Sequence, residues 1–250
     1  MHTFIISIFI TGLSGIAFEI LLIRELLTIF EGNELSLGII IANWLLIQAI
    51  GSYIVAKKFE YYKEKIFIFI LLQILFSLSF FLSIFLVRTI KHILKLPFGT
   101  TLGIDLIFFI TIIVLLLPGL LHGTLFTLSA KILQENNKND LKDISKTYIY
   151  EILGTIFGGI FFTYFLIKYF NSFQICNIIL VLNLICCTLV FISYEIKNKK
   201  TLILTTIFFS IFIIISSLNL KEKLEKLSLF ILWQKQNIVY NTNSIYNNIV

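Results

Sequence analysis

Charged side chains are scarce in this chain, at 14% of 250 residues against about 25% in an ordinary soluble domain. There are two prolines, one methionine and only two arginines, Arg24 and Arg88. That composition excludes a disordered, collagen-like or nucleic-acid-binding chain. The three cysteines, Cys176, Cys186 and Cys187, share one apolar block and read as small buried hydrophobes, with no disulfide framework or metal set implied. No P-loop, dinucleotide fingerprint or metal motif occurs. What is present in excess is Ile, Leu and Phe. Hydrophobic residues make up 58%, the mean hydropathy is +0.97, and the apolar residues come in blocks of about 20, the length that crosses a bilayer as helix.

The reading is therefore an all-α polytopic membrane protein, a transporter-like bundle. Seven blocks qualify: Phe4 to Leu27, Leu35 to Ala56, Ile66 to Val87, Ile104 to Leu121, Tyr148 to Phe170, Gln174 to Tyr194 and Thr201 to Leu218. The first lacks the basic start and small-residue cleavage site of a signal peptide, so it stays as a span. The longest connection, Lys131 to Lys146, reads as a solvated loop. The lysines lie almost entirely in the connections, 11 cations on the side of the amino terminus and 8 on the other, a weak bias toward a cytoplasmic amino terminus.

The fourth block is irregular, because its apolar pattern continues past Pro118-Gly119 to Leu133, about 45 Å as one helix. Pro118 removes a backbone donor, so a kink or cleft near His122 is expected, either as a simple bend or as a re-entrant stretch from Leu120 to Leu133 that would supply an eighth passage. Residues 1–219 then form the transmembrane domain and 220–235 an amphipathic linker lying on the membrane face. Residues 236–250 carry the start of a β-hairpin, Ile238-Val239-Tyr240 and Ile245-Tyr246 flanking Asn241-Thr242-Asn243-Ser244. Such an apolar last strand predicts a chain continuing beyond Val250.

Ionised groups inside apolar blocks are costly and mark sites by default. Glu19, Arg24, Glu25, Glu34 and Glu151 form the candidate intramembrane polar cluster, with Glu151 as a candidate partner for Arg24. Snorkelling of Arg24 among Glu25, Glu31 and Glu34 is the structural alternative. For Asp105 the first helical turn suffices as explanation. His122 is a candidate titrating or substrate-binding group beside Pro118. Gly154 and Gly158 have the G-x-x-x-G spacing, and Gly12 and Gly15 make a matching small face, so the first and fifth helices are expected to pack closely.

These residues carry a resemblance. Ser14-Gly15-Ile16-Ala17-Phe18-Glu19, Leu22-Ile23-Arg24-Glu25-Leu26-Leu27, Phe30-Glu31-Gly32-Asn33-Glu34-Leu35-Ser36-Leu37-Gly38 and Ala42-Asn43-Trp44-Leu45-Leu46 resemble the opening of the bacterial membrane-integrated spermidine synthase-like proteins. Leu117-Pro118-Gly119 and Thr147-Tyr148-Ile149-Tyr150-Glu151 through Gly158-Gly159 resemble that family's fourth and fifth segments. Val239-Tyr240-Asn241-Thr242-Asn243-Ser244 resembles the junction to its soluble aminopropyltransferase domain. The resemblance implies a multi-pass domain of the bacterial cell (inner) membrane that anchors an aminopropyltransferase module, either fused or separate, and offers a cleft for a polyamine or related amine. Decarboxylated S-adenosylmethionine would be a substrate of that further domain. No cofactor, metal or catalytic residue is carried over to this chain. Its partners would be the lipid bilayer, that module and the amine, with no nucleic acid. Two rival readings stay open: a free-standing permease for a small cationic solute, and a ligand-free scaffold.

Overall fold

A computed structural model describes residues 2–30, 34–59, 62, 64–96, 102–137, 140–194, 220–233, 242–243 and 248–249. The apolar blocks are helices, as a chain without water must close its backbone hydrogen bonds within each segment. They are α1 (His2–Phe30), α2 (Glu34–Ile50), α3 (Lys65–Ile93), α4 (Ile104–Asn137), α5 (Asp140–Phe161) and α6 (Ser172–Ser193). A shorter α7 (Leu220–Leu232) follows. Helix α2 runs on through a π-helical turn, Gly51–Val55, and α5 through another, Phe162–Leu166. Six of these helices are long and apolar enough to cross a membrane.

Local sequence explains several helix ends. Asn171 caps α6 in a reciprocal box with Gln174, whose side-chain oxygen accepts the Asn171 N–H at 2.9 Å. After α3, Lys95 takes the left-handed conformation (φ 54°) and the Leu96 N–H returns to the Lys91 carbonyl at 3.0 Å, a closure that satisfies an otherwise orphan carbonyl.

The six spans alternate in direction. Phe4 and Tyr194 pack their rings 6.3 Å apart at one end. At the other, the Ser172 hydroxyl at the start of α6 reaches Glu25 and Arg88. Glu25 lies 21 residues beyond Phe4, about 32 Å along the helix. Because Glu225 of α7 also meets Arg88, the chain leaves α6 at one end of the bundle and is met again at the other. The expected seventh span, Thr201 to Leu218, falls between these points and lies outside the described residues.

Two expectations are corrected. Helix α4 passes through Pro118 without a break, so Leu120 to Leu133 does not turn back and supplies no eighth passage. The physical reason lies in α3: Pro118 cannot donate to the Val114 carbonyl, and the Ser83 hydroxyl does so instead at 3.1 Å. The expected loop from Lys131 to Lys146 is largely helix, since α4 extends to Asn137 and α5 starts at Asp140. There Lys65 pairs with Glu135. At the carboxyl end, Thr242–Asn243 pairs antiparallel with Asn248–Ile249. The remaining residues of the expected hairpin lie outside the described residues.

Two crossings hold the bundle at its waist. Helix α1 packs on α5 in parallel, where a Cβ on Gly154 would fall 2.0 Å from the Phe9 carbonyl oxygen and one on Gly12 2.2 Å from that of Glu151. Helix α2 packs on α4, where a Cβ on Gly123 would fall 2.1 Å from the Gln48 carbonyl oxygen. Only glycine permits backbones to approach this closely.

Candidate functional site

Between these crossings sits His122. Helix α4 presents its imidazole to α1 at Gly15, where a Cβ would fall 2.4 Å from Nε2. The ring lies between Trp44, with centroids 6.0 Å apart and planes at 28°, and Phe76, with centroids at 5.2 Å. Gln48 Nε2 donates to Nδ1 at 2.7 Å. That bond leaves Nε2 to carry the proton of the neutral ring. Nε2 points between the Thr11 carbonyl and Glu151 Oε1, 3.6 Å away, and closes a well-formed hydrogen bond with neither.

Glu151 and His122 are mostly withdrawn from solvent, with side chains 16% and 13% exposed. Glu19 lies one turn beyond Gly15 on the same face of α1 and is half-buried. Among the described residues neither Glu19 nor Glu151 has an arginine or lysine within 4.0 Å. A carboxylate held in a low-dielectric interior without a counter-charge is costly. The site is thus acidic, walled by aromatics, and placed halfway along the spans.

A second polar group continues this layer on the other side of α1. The Gln73 amide donates to Asn183 Oδ1 at 2.9 Å, and the Asn183 amide donates to the Ser14 hydroxyl at 2.8 Å. Gln73 Oε1 is buried and has no hydrogen-bond donor among the described residues. Polar side chains from all six spans therefore occur at one depth.

The expected cluster of five charges is not one site. Glu25 belongs to the far end of the bundle, where Arg88 grips it through Nε–Oε2 at 2.8 Å and Nη2–Oε1 at 2.7 Å. Arg88 Nη1 also donates to Glu225 Oε1 at 2.8 Å and to Ser228 at 3.0 Å. Arg24 is buried here and near enough to act electrostatically on both Glu25 and Arg88, so two guanidinium groups and two carboxylates balance. Arg24 is not the partner of Glu151, which sits level with Gly12, 12 residues or about 18 Å back along α1. Glu34 opens α2 on an exposed turn, where the helix dipole stabilises it. Helix α7 is docked through Glu225, Ser228 and Leu229, all buried, and is more than a linker lying on the membrane.

The sequence reading missed Arg88, taken as a loop cation, and missed Gln48, Gln73 and Asn183. The signal was present, as Gln48, Gln73 and Asn183 are strongly polar residues within apolar blocks and Arg88 directly follows one. Among the described residues no three His, Cys, Asp or Glu side chains converge as metal ligands. No family model matches the chain, and no curated protein or solved structure matches it either, so the likeness to spermidine synthase-like membrane domains rests on the residues quoted above.

Proposed function

We propose that this membrane domain binds a small organic cation, with an ammonium group held by Glu151 beside His122, in a site walled by Trp44 and Phe76. The observation that carries this reading is Glu151, a mostly buried carboxylate midway through the bundle beside His122 that no arginine or lysine neutralises among the described residues. An ammonium ion supplies the missing charge and N–H donors. Glu25, by contrast, is saturated by Arg88 and Ser172 and has no role in this site. By the sequence resemblance the cation is a polyamine and the domain anchors an aminopropyltransferase module. What supports anchoring is the docked α7, which gives any following chain a fixed point of departure.

Isothermal titration of the detergent-solubilised protein with spermidine tests the binding. Saturable heat is expected, with affinity reduced about tenfold or more by Glu151→Gln, the equivalent of one lost ion pair. Undiminished affinity in Glu151→Gln refutes the assignment.

A further inference from the structure

We infer that the His122–Glu151 pair exchanges a proton for its cation, so that ligand binding and proton release are obligatorily linked; this rests on the cation-binding reading above. The inference follows from charge balance in a closed place. Helix α1 brings one charged group to this face, Glu19, and places bare backbone at Gly12 and Gly15 against Glu151 and His122. Helix α2 brings Gln48 and Trp44, which are neutral. Helix α3 brings Phe76. On α5 itself Tyr148 and Lys146 are exposed, and Lys146 stands five residues from Glu151, about 7 Å along the axis. On α4, Lys131 is nine residues from His122, about 13 Å toward the membrane end. With no fixed cation facing it among the described residues, the buried acid must hold either a proton or a bound cation, because an uncompensated charge there is far costlier than either.

The geometry also fixes the part played by the neighbouring imidazole. Gln48 occupies Nδ1 as a donor at 2.7 Å, which directs the ring proton to Nε2 and toward Glu151. When an ammonium ion enters, the O–H bond of the Glu151 carboxyl group breaks and its proton leaves for bulk water, while His122 keeps its own proton on Nε2 and faces the resulting carboxylate as a donor. The ammonium N–H groups then donate to the carboxylate. One positive charge enters and one leaves, no electron moves, and no second reactant is needed. A bundle whose acidic site is emptied by protons on one side and filled by cations on the other has the requirement for coupled exchange across the membrane.

The test is calorimetric and uses the intact chain. Spermidine is titrated into the solubilised protein at one pH in two buffers of different ionisation enthalpy, such as phosphate and Tris. The expected result is an observed enthalpy that differs between the buffers in proportion to their ionisation enthalpies, with the dependence lost in whatever binding remains for Glu151→Gln. His122→Gln, which preserves size and polarity, is expected to keep the stoichiometry of release, because the proton comes from Glu151. Saturable binding whose heat is the same in both buffers overturns exchange and leaves cation binding standing. Absence of binding by the folded wild-type protein overturns both.

Discussion

Arg88 holds Glu25 through two parallel hydrogen bonds of 2.8 and 2.7 Å, with Arg88 itself wholly buried and Glu25 nearly so. This fork ties α3 to α1 at the far end of the bundle, and its remaining donors reach α7 and α6. Two charges in hydrocarbon are tolerable only in such a saturated arrangement, since desolvation otherwise outweighs their attraction.

Removing the cation alone is expected to be severe. Arg88→Met leaves Glu25 and Glu225 buried without their partner and should cost about 3–5 kcal/mol, read as lowered thermal stability in detergent. Glu225→Gln should cost less, because its side chain is 12% exposed, and should raise hydrogen exchange selectively in residues 220–232. Equal protection of α7 in wild type and Glu225→Gln would show that other contacts hold it.

The bond from Ser83 to the Val114 carbonyl exists because Pro118 has no N–H. Ser83→Ala should therefore destabilise by about 1 kcal/mol in the natural chain and by clearly less in Pro118→Ala, where the backbone donor returns. A double-mutant cycle in detergent measures this coupling. Additive effects would contradict the assigned role of Ser83.

The glycines divide by what surrounds them. Gly154→Ala places a Cβ 2.0 Å from the Phe9 carbonyl oxygen and should cost about 1–3 kcal/mol by forcing α1 and α5 apart. Gly38→Ala meets nothing within 4 Å and should gain about 0.5–1 kcal/mol from helix propensity. Thermal unfolding of the two variants side by side checks the contrast.

Span positions and the pairing of the first and fifth helices through small residues could be read in the sequence because length, apolarity and small-residue spacing are local properties. The continuity of α4 through Pro118 could not, since it depends on Ser83 of another helix. The division of the acids into two places was equally hidden. Glu25 and Glu19 look alike in sequence, and only the partner, Arg88 63 residues away, separates the neutralised carboxylate from the one that is not.

Sidedness follows from which ends meet. An impermeant maleimide should label Tyr62→Cys and Tyr194→Cys from one face of sealed vesicles and Leu94→Cys and Lys223→Cys from the other. The native thiols Cys176, Cys186 and Cys187 are buried and give little background. Labelling of Tyr194→Cys together with Lys223→Cys would contradict the arrangement of α6 and α7.

Trp44 offers the most direct view of the proposed site, for its ring lies 6.0 Å from His122 and the chain has only two tryptophans. In a Trp233→Phe background, spermidine should change Trp44 emission saturably, and Glu151→Gln should abolish that change at the same concentrations. Emission that stays constant through the titration, or that shifts identically in Glu151→Gln, would contradict a cation held beside this carboxylate.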